Sequence, residues 1–206
     1  MNANCPQFGV ETHPGDLVYE DANGDGKITD ADKQILGSMI PRYTYGLTLN
    51  LGYKGIYLSA QFQGVGKADA YMSGAYTQPS VSGGTFQKCH LDNWTPENPD
   101  AKYPRLSYTS NLNTHASTFW MANAAYFRLK NLQLSYSLPK KILKPTKLKG
   151  VMVYGNATNL FTISNFYKGY DPEISYQSGA QGATTGSIGS SYPLVSTYTF
   201  GVEVQF

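Results

Sequence analysis

The sequence predicts an all-β fold: about five C-terminal strands of an antiparallel transmembrane β-barrel with long extracellular loops, the barrel being incomplete within this chain. Apolar and polar residues alternate in segments of membrane-spanning length, and the connections between these segments are very unequal. The 206 residues include 17 Tyr, 9 Phe and 21 Gly, and only 15% of them are charged. This composition favours β-structure with polar loops over a helical enzyme.

Each alternating segment reaches the length of a tilted membrane strand, about 9–11 residues. In the first segment every odd position from Tyr43 to Leu51 is apolar or aromatic, and the even positions are polar or Gly. The second segment follows directly after Lys54-Gly55, so the pair predicts a tight hairpin. The third segment changes phase near Lys130-Asn131, which predicts a β-bulge. The five predicted strands cover about 43–52, 55–64, 124–138, 150–161 and 196–206.

The fourth predicted strand alternates less regularly, whereas the last one alternates through to Phe206. A strand pattern that ends on an aromatic residue is typical of outer-membrane barrels, where the exposed edge of the last strand docks onto the assembly machinery. We therefore predict a barrel-assembly signal in this strand. Its residues are Phe200, Gly201, Val204 and Phe206.

Short connections alternate with long ones along the predicted sheet. The short ones are 54–55 and 139–149, and the long ones are 65–123 and 162–196. Short turns at one end and long loops at the other are the layout of an outer-membrane barrel. We predict that residues 1–42 form an extracellular loop region and residues 43–206 the barrel segment. Because single-chain barrels need about 8 strands or more, the chain is expected to be part of a longer protein.

Other classes of protein find little support. A formal net charge of +2 is too small to indicate nucleic-acid binding. No segment approaches the length of a transmembrane helix, and the first residues lack the features of a signal peptide. His13, His90 and His115 have no metal-site spacing, and Cys5 and Cys89 fit no CxxC pattern. The sequence therefore predicts no enzyme.

Residues 21–32 match the twelve-residue loop that binds Ca²⁺ in EF-hand proteins. Hard Ca²⁺ needs several oxygen ligands around one point, and this spacing supplies them, with Gly26 at the sharp turn. The predicted ligands are Asp21, Asn23, Asp25, the Lys27 carbonyl, Thr29 and Asp32. Because Asp32 is shorter than the usual Glu at the last position, we expect a weak, structural site. A turn rich in Gly, Asp and Asn without a metal is the alternative.

Aromatic residues in the long loops are candidates for ligand contacts, because aromatic rings present large rigid faces that could stack on sugars. The candidates are Trp94, Tyr103, Tyr108, Trp120, Tyr167, Tyr170 and Tyr176. The alternative is that they form the interfacial girdle or pack the loops against one another.

Short motifs follow one another in order from Pro14-Gly15-Asp16 to Phe206. They include Tyr45-Gly46, Phe62-Gln63-Gly64, Asn93-Trp94-Thr-Pro96, Tyr103-Pro104-Arg105, Phe119-Trp120, Tyr126-Phe-Arg128-Leu129-Lys130-Asn131, Asn159-Leu160-Phe161 and Gly169-Tyr170-Asp171-Pro172-Glu173. The ordered set, which also contains the calcium-type loop, resembles the C-terminal part of SusC/RagA-type TonB-dependent outer-membrane receptors of the Bacteroidetes.

The resemblance implies a bacterial outer-membrane transporter that imports glycans or peptides with energy from TonB. It implies a barrel of about 22 strands around an N-terminal plug, with a SusD-type surface lipoprotein that helps to capture the ligand. The part that contacts TonB is expected to lie outside this sequence. Barrel-assembly machinery and membrane lipid complete the expected partners.

A hypothesis from a different class stays open at this stage. Soluble β-sandwiches also show period-2 alternation, so the chain could be a secreted or surface-attached β-domain that binds carbohydrate through its aromatic loops. The two hypotheses differ in where the apolar face of the strands lies: in a core or against lipid.

Overall fold

A computed structural model describes residues 6–72, 77, 79–80, 85–108, 112–145, 147–173 and 194–206. The chain separates into two compact units. One, which we call the sheet unit, comprises residues 40–69, 123–173 and 192–206. The other, the loop unit, comprises residues 1–39, 70–122 and 174–191. The N-terminal residues thus share a unit with a segment of the long connection between the second and third predicted strands.

The sheet unit contains five antiparallel strands, which confirms the predicted all-β fold. These strands are β1 (Tyr43–Tyr53), β2 (Ile56–Gly66), β5 (Tyr126–Ser137), β6 (Gly150–Ser164) and β7 (Thr197–Gln205), in the order β1-β2-β5-β6-β7. Two short strands, β3 (Asp69–Tyr71) and β4 (Met121–Asn123), pair separately in the connection where no strand was predicted. A single helical turn, α1 (Lys140–Leu143), lies between β5 and β6. The described strands do not close into a barrel.

Backbone geometry explains the tight hairpin and the bulge. Lys54 and Gly55 have φ angles of 48° and 87°, and positive φ at both central residues is what a two-residue hairpin of type I′ requires. Lys130 has no partner in either neighbouring strand, since the register passes directly from Leu129 to Asn131. The predicted bulge is therefore present. At the same point of the register, Asn159 on β6 has a left-handed φ of 52°.

The sheet has one apolar face and one polar face. All six odd-numbered residues of β1 are large, apolar or aromatic, and they are 42–69% exposed. The other face carries uncharged polar side chains that align across all five strands: Asn50, Ser59, Gln133, Asn156 and Thr199. An apolar face left exposed is the reverse of the arrangement in a soluble sandwich.

Glycines opposite aromatic residues hold neighbouring strands in register. Gly64 lies under the ring of Tyr45, and Gly201 lies under the ring of Tyr154. A Cβ atom at either glycine would overlap the tyrosine ring. These strand glycines are thus contact surfaces for cross-strand aromatic residues.

The loop unit has an apolar core of its own. Trp120, Met72 and Leu112 are less than 2% exposed. Short 3-10 helices shape this unit at Asp30–Asp32, Lys88–Asp92, Leu112–Thr114 and Thr118–Trp120. Among the described residues, no helix combines the length and the apolar character needed to cross a membrane.

Candidate functional site

The calcium-type loop is closed by hydrogen bonds from its own backbone. The Asp21 carboxylate accepts bonds from the amides of Gly24 (2.7 Å) and Gly26 (2.8 Å). Asp32 accepts from the amides of Ala22 (3.0 Å) and Thr29 (2.8 Å). The Thr29 amide and further backbone amides lower the pKa of Asp32 below its ordinary value. The loop therefore already folds its two end carboxylates inwards, onto backbone amides.

The remaining predicted ligands lie on the same turn. The amide of Asp25 donates to Asn23 (2.9 Å), and the amide of Lys27 donates to Asp25 (2.9 Å). Within the described ranges, no group of three or more His, Cys, Asp or Glu side chains is arranged to hold a metal ion. The calcium site stays a prediction.

The predicted aromatic contacts lie in different environments. Trp120 is 1% exposed; its ring stacks on Tyr103 at 6.2 Å, and its indole N–H donates to the Asn113 carbonyl. Trp120 is therefore a core residue, which fits the alternative that aromatic residues pack the loops against one another. Trp94 is partly buried and lies against Gly15, where a Cβ would overlap the indole.

Tyr108 is the most accessible of the described candidates, at 88% exposure. Tyr103, Tyr167 and Tyr170 are partly buried. Tyr176 lies outside the described residues. Tyr108 is thus the described candidate with a ring free to meet a ligand.

A buried carboxylate joins distant segments of the loop unit. The side chain of Asp16 is 1% exposed and accepts bonds from Arg105 Nε (2.6 Å) and Nη2 (3.1 Å). Asn113 also donates to Asp16 (2.9 Å), and its side-chain oxygen accepts from the Leu17 amide (2.8 Å). Bidentate pairing of this kind is strong and geometrically specific. The cluster therefore fixes residues 16–17 against residues about 90 positions further along the chain.

A second buried ionic cluster lies on the polar face of the sheet unit. The side chain of Arg128, on β5, is 1% exposed and donates to Asp171 (2.5 Å), Glu173 (2.7 Å) and Thr162 (2.8 Å). Lys130, at the bulge, reaches Glu173 at 3.1 Å. A bulge can re-aim a side chain, and here it leaves two cations of one strand bound to one carboxylate. The cluster holds the segment after β6 against β5 and β6.

Sequence reasoning assigned no role to either ionic cluster, although Asp16, Arg105, Arg128 and Asp171 all stand in the quoted motifs. The available signal was Arg128, a charged residue in the middle of an alternating strand. Such a residue requires a partner when both of its neighbouring strands are paired.

The predicted assembly signal lies on β7, which pairs only with β6 in the described part of the chain. Phe200 and Phe206 are 83% and 82% exposed, and Val204 is 39% exposed. Gly201 is the exception, because it forms a contact surface for Tyr154. This glycine therefore has a structural role in strand pairing, and the assembly signal stays a prediction.

Comparison with known proteins finds similarity to receptors. No family model matches it. TonB-dependent receptor P3 of Formosa agariphila is 30% identical over 204 residues, which are 95% of this chain and 19% of the relative. TonB-dependent receptor SusC of Bacteroides thetaiotaomicron is 29% identical over 196 residues, covering 94% of this chain and 18% of the relative. The RagAB peptide importer in its open-open state matches with a TM-score of 0.64 and 28% identity, over 93% of this chain and 20% of that one.

The chain is similar to a segment of SusC/RagA-type TonB-dependent receptors. It spans about a fifth of the length of these relatives. The resemblance and the fold predicted from the sequence are confirmed, and the relatives are named as receptors and an importer.

Proposed function

We propose that this chain forms part of the barrel wall of an outer-membrane transporter that depends on TonB. The observation that carries the proposal is the inverted sheet: the apolar face is exposed, and the polar face contains a buried arginine. In a membrane barrel the apolar face contacts lipid and the polar face lines an aqueous interior. The soluble carbohydrate-binding domain is disfavoured, because it would leave six large side chains of β1 in water.

The proposed cargo is a glycan or a peptide, imported together with a SusD-type lipoprotein. Support comes from the names of the relatives, one a SusC receptor and one a peptide importer. We assign contact with TonB to parts of the receptor outside this sequence, and insertion to the barrel-assembly machinery acting on β7. Tyr108, with its exposed ring, is the proposed aromatic contact for cargo.

Fractionation of source cells tests the transporter proposal. An antibody to these residues should detect a large protein in the outer-membrane fraction, with a mobility that changes on heating because a closed barrel resists detergent until it unfolds. A small soluble band near 22.6 kDa would contradict the proposal and favour the soluble β-domain.

Cargo class is tested on the complete receptor with its lipoprotein. Binding of a mixed peptide pool and of a mixed oligosaccharide pool is compared between the wild type and Tyr108→Ala. Trp120→Phe serves as a matched control, because position 120 is buried and phenylalanine keeps an aromatic ring there. If Tyr108→Ala weakens the binding of one pool and Trp120→Phe does not, the result supports Tyr108 as a cargo contact. Unchanged binding of both pools by Tyr108→Ala would contradict this assignment.

We also propose that residues 21–32 bind Ca²⁺ as a structural ion. Calorimetry should show Ca²⁺ binding that Asp21→Ala abolishes and Asp30→Ala retains. Asp30 is a suitable control because it lies in the same loop, outside the predicted ligand set, and pairs with Lys33 at 2.8 Å. Absence of a binding signal at millimolar Ca²⁺ would contradict calcium binding by residues 21–32.

A further inference from the structure

One end of the sheet unit carries a dense group of lysines, which we call the basic end. The amide of Ser137 donates to the Gly55 carbonyl (2.8 Å), and the amide of Lys149 donates to the Gln205 carbonyl (2.8 Å). These bonds bring the β1–β2 turn, the β5–β6 connection and the end of β7 to the same end. The lysines of the two connections are Lys54, Lys140, Lys141, Lys144, Lys147 and Lys149.

All six lysines are exposed. Within the described ranges none of them forms an ion pair, whereas Arg128, Lys130 and Lys33 do. The two connections contain no acidic residue, and the acidic residue that lies near this end is Glu203 on β7. The other acidic residues of the sheet unit, Asp69, Asp171 and Glu173, follow the opposite ends of the strands. The basic end therefore has positive charge with little compensation from the protein.

The exposed apolar face continues directly into the basic end. Its last row comprises Tyr53, Ile56, Tyr136 and Val153, which align across β1, β2, β5 and β6 and are 41–69% exposed. Ile142, which follows Lys140 and Lys141 in α1, is 59% exposed. The Lys54 ammonium lies 5.0 Å from the centre of the Tyr53 ring. Apolar rows next to unpaired lysines suit a surface at which hydrocarbon gives way to anionic headgroups.

We infer that the basic end binds the anionic phospholipid headgroups of the leaflet that surrounds it. Flexible lysine side chains next to an apolar band can place their ammonium groups among lipid phosphates while their methylene chains stay against hydrocarbon. This inference rests on the proposed function, since it requires the apolar face to lie in a bilayer. The inference gives the lysine-rich β5–β6 connection a specific partner, anionic lipid. A cluster of lysines that only met water would have no such partner.

The test uses the complete receptor that contains these residues, reconstituted in phosphatidylcholine with and without phosphatidylglycerol. Native mass spectrometry then counts the phospholipids that remain bound. Lys141, Lys144 and Lys147 are replaced together by Ala, and the matched control replaces three exposed lysines that do not belong to the basic end, Lys88, Lys102 and Lys168. Because each lysine near an anionic surface contributes to lipid binding and three are removed, retention of phosphatidylglycerol should fall by roughly a hundredfold in the first variant and stay unchanged in the control.

Two further measurements keep the inference testable if the first variant is lost during purification. Replacement of the same three lysines by Arg should preserve phosphatidylglycerol retention, and added salt should release the lipid from the wild type, because screening weakens exposed charge pairs. Equal retention of both lipids by the wild type would overturn the inference, as would an alanine variant that behaves like the wild type.

The outcome can be separated from that of the proposed function. If the receptor is found in the outer membrane and imports cargo but shows no preference for phosphatidylglycerol, only the lipid inference is contradicted. A receptor absent from the outer membrane contradicts the proposed function and removes the inference with it.

Discussion

The loop unit and the sheet unit differ in where their large apolar side chains lie. Among the largest described side chains with less than 2% exposure, those of the loop unit include Trp120, Met72 and Leu112, whereas the one from the sheet unit is Arg128. Leu49 and Leu51, in the middle of β1, are instead 42% and 54% exposed. The loop unit thus buries its largest apolar groups, whereas the sheet unit leaves a whole apolar face exposed.

Charge separates the two units as well. The sheet unit has 11 Lys and Arg residues and 4 Asp and Glu residues, a formal charge of +7; the loop unit has 5 and 10, a formal charge of −5. A net charge of +2 for the whole chain conceals this difference. Under the proposed function, one sequence encodes two units for two solvents: the loop unit for water, and the sheet unit for lipid on one face and water on the other.

Replacement of Arg128 by Ala should have the largest effect, because it leaves two carboxylates without their buried cation. We expect a loss of about 3–5 kcal/mol, measured as a lower midpoint for the heat-induced mobility change of the complete receptor. Lys168→Ala is the control, since it removes a cation from the same segment at an exposed position. Equal midpoints for both variants would show that the buried cluster contributes nothing to the sheet unit.

A pair of leucine replacements compares the two units directly. Leu112→Ala, at a position with 0% exposure, should destabilise the loop unit by about 2–5 kcal/mol. Leu49→Ala should cost much less, because lipid fills the space that the side chain leaves. Protease susceptibility of the loop unit and the unfolding midpoint of the receptor measure the two effects. A larger effect at Leu49 would mean that this residue belongs to a protein core.

Gly201→Ala should destabilise the pairing of β6 with β7 by about 1–3 kcal/mol, because the new methyl group overlaps the Tyr154 ring. Gly46→Ala is a matched control in β1, where the added Cβ would meet its nearest neighbour, the Phe62 carbonyl oxygen, at an ordinary 3.6 Å. Folding yield and the unfolding midpoint give the comparison. If both variants fold equally well, the ring contact does not set the register.

The smallest effect concerns Tyr19 in the loop unit. Burial, followed by the neighbouring Tyr71, raises the pKa of Tyr19 from 10.0 to about 12. Because the folded pKa lies above the unfolded one, the stabilisation is complete below pH 10 and is lost as the pH rises through about 12. Absorbance titrations of the wild type and Tyr19→Phe should differ by one phenol that ionises near pH 12. A difference that titrates near pH 10 would contradict the burial of this hydroxyl group.

Periodicity predicted the sheet well because each strand has one apolar and one polar face, and even the bulge at Lys130 left a change of phase in the sequence. The same reasoning could not predict the core of the loop unit. Trp120 stands between Phe119 and Met121 in a long connection without regular alternation, so its sequence neighbours do not show which residues will be buried. Its burial depends on contacts such as Asp16 with Arg105, which are 89 residues apart. Pairing over that distance leaves no local pattern.

The most direct test of the two-solvent account places an environment-sensitive fluorophore at adjacent positions of β1 in the complete receptor. Leu49→Cys and Asn50→Cys, made in a background with Cys5 and Cys89 replaced by Ser, put the probe on opposite faces. The account predicts that brominated lipid quenches the probe at position 49 and aqueous iodide quenches it at position 50. Quenching by iodide at both positions, with no effect of brominated lipid, would contradict it.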